Sequence, residues 1–293
     1  MSYLITSDYQ RVIQTNELNA ITTNSVSIRQ LVENGQQTYI RANLIQEFDI
    51  DSEFIDMNAF DPTVIYKGNQ RVYLDAAAYN PASTYALSAL TLQGGKVYIC
   101  TTPIMVDEPF NSAHWTLLGN QYDMFYVSLP QPLFDSMQFY NKGDQVWWKD
   151  SVYTAIQDSL VTSQQDVLQS SQRQDVKFGN GVPGTYSGKN MWGTGTPYSV
   201  SAGTLPTNTT YWTKGDNRNQ MIVNTMLNMV VYELSKRIAP GNVPEVRHNA
   251  WVKANDDLKR IASGNINSLL NRLEPLKGDR IRSGGTPQEI NVW

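Results

Sequence analysis

Between Asn217 and Gly264 the apolar positions recur at steps of three and four residues. Val223, Met226, Leu227, Val230, Val231, Leu234 and Ile238 fall on one stripe, and Ala250, Ala254, Leu258 and Ile261 on a second. This spacing predicts two amphipathic helices that each bury one face. Ala239-Pro240-Gly241 separates them, so the pair predicts a helical hairpin. Asn217 with Gln220, and Asn242 with Glu245, stand at capping-box spacing, and Gly264 supplies a stop.

Residues 1 to about 50 also carry the helical period. Thr6 or Ser7 caps a short helix running through Val12 and Ile13. A longer helix follows with Ile28, Leu31, Val32, Gly35, Tyr39, Ala42 and Ile45 on one face, ended by the segment 48–54. The chain thus opens and closes on helices, and the region between them reads as inserted.

In that region the period changes. Val64-Ile65-Tyr66 and Arg71-Val72-Tyr73-Leu74 flank a Gly-Asn turn, predicting a β-hairpin. A repeat follows. Tyr85 precedes Val97-Tyr98 by twelve residues, with Trp115-Thr116 beyond; Tyr140 precedes Val152-Tyr153 by twelve, with Trp212-Thr213 beyond. Each interval holds a strand and a tight polar turn, Gln93-Gly94-Gly95 or Lys149-Asp150-Ser151. The pattern predicts two tandem aromatic β-modules. In the second copy the distance to the tryptophan is longer by the polar stretch 159–205, which reads as a long loop.

The predicted fold class is α+β multidomain: a helical core formed by both chain ends, two inserted small antiparallel β-modules and an extended C-terminal arm. The predicted boundaries are 1–60 and 216–264 for the helical core, 61–122 for module 1, 123–215 for module 2 with its 159–205 loop, and 265–293 for the arm. The last of these ends in Ile290, Val292 and Trp293, apolar groups that a solvated tail seldom keeps unless something covers them.

Composition narrows the chemistry. The 293 residues carry a net charge of −4, too acidic overall for a nucleic-acid footprint. Lysine and arginine nevertheless outnumber aspartate and glutamate between Lys236 and Arg282, so one end faces an acidic surface or presents a solvated helix face. The lone Cys100 excludes an internal disulfide and fits a buried strand position. The first residues lack a signal-peptide pattern, and no apolar run reaches membrane-span length, so a soluble, non-secreted chain is the expectation.

Catalytic and metal signatures are absent from the pattern. His114 and His248 stand far apart with no cysteine or acidic cluster at ligand spacing. The glycines of Gly179-Asn-Gly181-Val-Pro-Gly184 neither follow a strand nor open a helix, which the dinucleotide fingerprint requires. Asp49, Asp51 and Glu53 lack the further ligands and central glycine of a calcium loop, and fit a solvated helix end. The expectation is a non-enzyme without cofactor, metal or catalytic residue. Trp147, Trp148 and Trp212 are either stacking platforms for sugar rings or protein contacts, or else the core of small β-domains. Alternation puts Trp147 and Trp148 on opposite strand faces, which predicts that one is exposed.

The two flanks resemble a known family. Tyr3-Leu4-Ile5-Thr6-Ser7-Asp8-Tyr9, the helix ending near Phe48-Asp49-Ile50, and Asp216-Asn-Arg-Asn-Gln220, Tyr232 and Arg237-Ile-Ala-Pro240-Gly-Asn-Val-Pro244-Glu245 are similar to the tailed-bacteriophage head-to-tail adaptors. These are small helical head-completion proteins beneath the portal. The Arg-Ile-Ala-Pro and Asn-Val-Pro-Glu turn is the most specific element. The middle more loosely resembles chitin- and cellulose-binding modules through Tyr140-Asn-Lys-Gly143-Asp144-Gln-Val146, Val152-Tyr153 and Trp212, whereas the first copy has Ala86 to Ala89 where Gly-Asp would fall. Such insertions suggest a large phage of the crAss-like type.

The resemblance implies a structural virion protein at the head–tail junction, assembled in the host bacterial cytoplasm. It implies a twelve-fold ring of neighbouring copies, contacts with the portal protein and with other tail or ring proteins, and no membrane. Channel DNA would pass along the basic helix face without sequence-specific binding. The segment Leu269 to Trp293 would be the portal-docking arm, with Ile281, Ile290, Val292 and Trp293 as its contacts. The alternative is a carbohydrate-binding virion or surface protein working through Trp147, Trp148 and Trp212. A polysaccharide-degrading enzyme lacks an identifiable acid/base pair.

Overall fold

The computed structural model describes residues 3–135, 138, 140–156, 183, 192–238 and 240–272. Among them the chain is a mixed α+β protein with six α-helices and several small sheets. Four helices precede the strands: α1 (Thr6–Tyr9), α2 (Thr15–Thr22), α3 (Val26–Leu44) and α4 (Ile50–Glu53). Two follow them, α5 (Gln220–Ile238) and α6 (Glu245–Ala262).

One apolar cluster joins residues from all six helices, from Tyr3 and Leu4 to Leu258 and Ile261. Its axis is α5, which buries Ile222, Val223, Met226, Leu227, Met229, Val230, Val231 and Leu234. A helix that is apolar on most of its surface must be covered on several sides. Here α6 and α3 supply the main cover, with α1 and α2 at the edges. The predicted stripes of both helices are therefore present, although Ile238 lies past the core and is exposed.

The helix starts differ from expectation. Asn219, not Asn217, caps α5: its Oδ1 accepts from the amides of Met221 (3.1 Å) and Ile222 (3.2 Å). Pro244 precedes α6 with no side-chain cap. The Gly264 stop is present: its φ is +76°, and Asn265 N–H reaches back to the Arg260 carbonyl at 2.8 Å.

The longest N-terminal helix is rotated from its predicted face. Leu31, Tyr39 and Ile45 point outward, while Glu33, Ile40 and Leu44 are buried. Glu33 is tolerated inside because Tyr9 Oη donates to it and Arg29 lies 3.4 Å away. Helix α2, which buries little beyond Leu18, had no pattern of its own to announce it.

The strand region holds three copies of one unit, where the spacing predicts two. An aromatic residue is followed six positions later by a tyrosine: Phe60 and Tyr66, Tyr79 and Tyr85, Phe134 and Tyr140. Each pair stacks, with ring centroids 5.9, 5.2 and 5.9 Å apart. A distant tryptophan meets each tyrosine edge-on at 5.1 Å, Trp212, Trp115 and Trp192 respectively. Each tyrosine hydroxyl accepts at 2.8 Å from the amide five residues back, of Asp61, Asn80 or Asp135. It also donates to the carbonyl of that same residue. The leading aromatic's amide donates to the carbonyl of Tyr73, Leu92 or Trp147, in every case seven residues past the tyrosine. Buried tyrosines need such partners for the hydroxyl, and the identity of all three sets marks one repeated design.

Two copies contain the predicted hairpin. In the second unit β4 (Leu90–Gln93), β5 (Lys96–Cys100) and β6 (Trp115–Asn120) form an antiparallel sheet. In the third, β8 (Gln145–Trp148), β9 (Ser151–Thr154) and β10 (Thr196–Pro197) do the same. Both turns have positive φ at both central residues, +57° and +75° at Gly94-Gly95, +42° and +67° at Lys149-Asp150. That geometry matches the twist of the flanking strands. Trp115 faces Cys100 and Trp192 faces Ala155, equivalent positions of the two copies.

The first unit is opened out. Its sheet orders β1 (Met57–Ala59), β3 (Arg71–Tyr73), β7 (Met124–Val127) and β12 (Trp212–Lys214), with β1 parallel to β3 and the rest antiparallel. The second unit occupies the place of the turn between β3 and β7, and the third lies between β7 and β12. The units are therefore nested, not tandem.

Nesting corrects two readings. The partner of Tyr140 is Trp192, and Trp212 belongs to Tyr66. The stretch 159–205 contains Trp192, β10 and β11 (Ser199–Val200), so its described end is structured; 159–182 and 184–191 lie outside the described residues. The expected 64–74 hairpin does not pair with itself either. Its first strand β2 (Tyr66–Lys67) pairs with β11, although Gly68-Asn69 remains a turn with Asn69 at φ +62°.

Gly68 also marks where the first and third units touch. A Cβ there would lie 2.7 Å from Trp147 Nε1 and 3.1 Å from Leu129 Cδ2. Because the buried Trp147 ring has no room to withdraw, Gly68→Ala should destabilise the protein by about 1–3 kcal/mol. Urea unfolding checks this, and an unchanged midpoint would show that the contact relaxes without cost.

Candidate functional site

Helical body and sheets meet at one buried polar cluster. Its organiser is the segment Asp216-Asn217-Arg218-Asn219, which leaves β12 and enters α5. Arg218 has 3% of its surface exposed. Its Nη1 donates to Asp8 Oδ2 (2.7 Å) and the Tyr3 carbonyl (2.9 Å), and its Nη2 to Asp8 Oδ1 (3.0 Å). Nε and Nη2 donate to the two oxygens of Asp216, at 2.9 and 2.8 Å. One guanidinium thus grips a carboxylate on each side, a use for which its planar fork is suited.

The neighbouring residues extend the cluster. Asn217 Oδ1 accepts from Arg71 Nε at 2.6 Å, and its Nδ2 donates to Asn69 at 2.7 Å. Arg71, buried in β3, also donates to the Glu53 carbonyl at 2.6 Å and approaches the Glu53 carboxylate at 3.6 Å. Glu53 accepts from Tyr3 Oη and from the Asn219 amide at 2.8 Å. Asn219 Nδ2 donates to the Ser268 carbonyl. Helices α1 and α4, strand β3, the link from β12 into α5 and the segment after α6 therefore share one hydrogen-bonded knot.

Its titration follows from the geometry. Burial alone would raise the Asp216 carboxyl, but the hydrogen bonds and charge of Arg218 outweigh it and hold the group below its ordinary value. At Glu53 burial wins, pushing the carboxyl up against the opposing pull of Arg71 and the donors from Tyr3 and Asn219.

The tryptophans singled out as contact residues are internal. Trp147, Trp148 and Trp212 are 1%, 3% and 2% exposed. Alternation does separate the first two, yet both strand faces are covered: Trp148 joins Phe134, Tyr140 and Trp192, and Trp147 rests against Gly68. Trp212 packs on Phe60 and Tyr66. None presents a ring face to solvent. Ile281, Ile290, Val292 and Trp293 lie outside the described residues.

Other sequence candidates have local structural partners. His114 Nδ1 is 2.7 Å from Glu108, His248 packs beside Trp251 and Tyr232, and Cys100 is buried in β5. Of the acids near residue 50, Asp49 caps α4 through Ser52 N–H (3.4 Å), Asp51 pairs with Arg41 (2.8 Å), and Glu53 enters the knot. A solvated helix end thus describes only Asp51. Among the described residues no group of three His, Cys, Asp or Glu is placed to hold a metal ion, and no helix is long and apolar enough to cross a membrane. The basic excess of the last helices is offset locally: Lys236, Lys259 and Arg260 each lie within 3.9 Å of an acid one turn away.

Sequence reasoning singled out the Asp216–Gln220 segment but missed its partners. Arg71 was the available signal, a charge set inside an apolar strand. Compared with known protein families and with curated proteins, the chain matches none.

Replacing Arg218 with methionine strands two carboxylates, one of them fully buried, and should cost about 3–5 kcal/mol. Lys67→Ala, which removes an exposed pair with Asp150, should cost less than about 1 kcal/mol. Denaturation of both variants tests the contrast. The pH dependence has a defined sign as well. A carboxyl held below its unfolded value of 3.8 contributes stability above that pH and loses it as the pH falls through its lower folded value. Asp216→Asn should therefore be less stable at pH 7 and show a shallower loss on acidification below pH 3.8 than the parent protein. Glu53, raised in the fold, contributes with the opposite sign, so the test compares the two curves and not either alone.

Proposed function

We propose that this chain is a structural assembly protein, a head-to-tail adaptor whose copies form a ring beneath a portal, extend its DNA channel and join capsid to tail. The observation that carries the reading is the knot around Arg218. The two stretches that resemble the adaptor family, Tyr3–Tyr9 and Asp216–Gln220, are far apart in the chain and grip each other there through Asp8, Tyr3 and Arg218. The contact fits the expectation of one helical core formed by both chain ends.

The nested aromatic units also suit a structural role. Their rings are spent on internal packing, and both ends of the strand region return to the helices at Met57 and Lys214. Insertions of this kind leave a helical ring contact unobstructed. On this reading the chain makes oligomeric contacts with neighbouring copies, portal and tail proteins, and DNA passes without sequence-specific recognition. Fold alone does not assign function, and the glycan-binding alternative has lost its three named platforms to burial.

Deletion of residues 278–293 should abolish binding to a portal protein from the same genome while leaving the remainder folded. Co-sedimentation with purified portal measures the first and urea titration the second. Undiminished portal binding by the truncated protein would remove the arm from the mechanism.

A further inference from the structure

Two exposed apolar patches of this chain carry opposite charge. The first is the loop 105–109 of the second unit, where Met105 and Val106 are 77% and 71% exposed, with Asp107 and Pro109 exposed beside them. The loop is held at both ends. Ile104 bridges Tyr85, the Glu108 amide donates to the Pro81 carbonyl at 3.1 Å, and Tyr79 Oη donates to the Glu108 carbonyl at 2.8 Å. The second patch is the turn from α5 into α6, flanked by Ile238 and Val246 at 53% and 76% exposed. Residues 240–244 between them carry no charge, and Pro240 and Pro244 stiffen the turn. Apolar side chains presented this way on ordered backbone mark interaction sites.

Each patch has charges answered locally and one left over. Glu108 meets His114 Nδ1 at 2.7 Å, and Lys236 lies 3.8 Å from Glu233. Glu245 stands in the first turn of α6, where the positive end of the helix answers it. Asp107 and Arg237 are exposed, and among the described residues neither forms an ion pair.

Charge decides what each patch receives. A patch laid on its own copy sets Asp107 against Asp107, or Arg237 against Arg237, and like charges disfavour such a contact. The acidic loop laid on the basic turn joins apolar to apolar and opposite charge to opposite charge. Within one chain the two do not cover each other, since all four apolar side chains are exposed. They meet only between chains. A contact between two different surfaces is heterologous, and repeating it builds a ring where the rotation closes.

We infer that the partner of the 105–109 loop is the α5–α6 turn of a second copy, with Met105 and Val106 against Ile238 and Val246, and Asp107 paired with Arg237. The inference deepens the adaptor proposal: it rests on copies joined in a ring and names surfaces that join them. The second unit then takes part in the contact between neighbours.

The test uses the full-length chain carrying Val106→Cys and Val246→Cys, with the buried Cys100 left in place, treated with a short bis-maleimide. The expected result is a ladder of dimers, trimers and longer products, whereas each single variant stays uncross-linked. In the double-cysteine chain Arg237→Glu should reduce the ladder several-fold, and adding Asp107→Arg should restore it. Both charges lie on the surface, and recovery on double reversal does not arise from misfolding. A dimer from either single variant would assign that patch to its own copy. A ladder indifferent to Arg237→Glu, or not restored by the second reversal, would remove the charge pairing. Each of these overturns the inference. Sedimentation of the unmodified chain separates it from the ring reading. Multimers without a ladder overturn this contact and leave the ring, while a chain that stays single with no ladder overturns both.

Discussion

Arg218 is the constraint on which the architecture depends. A guanidinium removed from water demands partners in fixed directions, and this one takes them from Asp8 and Tyr3 in the first helical turn region and from Asp216 beside it. Residues 3–9 and the entry to α5 cannot shift independently without leaving a charge unpaired. Arg71 then extends the same demand into the sheet through Asn217 and Glu53. Such a cluster is poor as a source of stability compared with apolar packing of the same volume. Its value is in register: it permits one way for helices, strands and the chain after α6 to meet.

The nested aromatic units solve a different problem. Each tyrosine latch is local, spanning five residues, whereas the tryptophan that closes the triad can come from far along the chain. Trp115 lies close to its tyrosine in sequence, while Trp212 is separated from Tyr66 by two complete units. The local latch defines the pocket before the distant ring arrives, so an insertion lengthens the loop without altering the geometry. Loop closure costs grow only with the logarithm of length. That is why one copy can host two others and still show the same 5.1 Å ring separation.

What was legible in the sequence follows the range of the interaction. Helices α5 and α6, the two-residue turns at Gly94-Gly95 and Lys149-Asp150, and the tyrosine-to-strand interval all arise from contacts within a few residues, and the pattern shows them. The first unit was hidden because its strands are split by the other two, so the twelve-residue interval is absent after Tyr66. Trp212 was misassigned to Tyr140 for the same reason: nearest in order is not nearest in space when copies are nested. The face of α3 was misread because an isolated Glu33 counts as solvent-facing until Tyr9 and Arg29 are known to meet it. Of the buried knot, the pattern showed Asp216–Gln220 as a helix entry, and among its partners only Arg71, a charge inside an apolar strand, carried a signal; Asp8 and Glu53 carried none.

The knot also reaches the root of the C-terminal segment. Asn219 does two things at once: its Oδ1 caps α5, and its Nδ2 donates to the Ser268 carbonyl. Four residues on, Arg272 lies against Phe48, just before the short helix that supplies Glu53. Residues 268–272 are therefore tied to α5 by a hydrogen bond and to the α3–α4 connection by a bridge and a ring contact. Through Asn219, Glu53 and Arg71 the knot joins these residues to the helical core and to the first sheet. The second and third units are inserted within the first, and the charge of Lys149 in the third reaches Asp49 beside α4. A chain arranged in this way can vary its inserted units while its two helical flanks keep a fixed relation to each other.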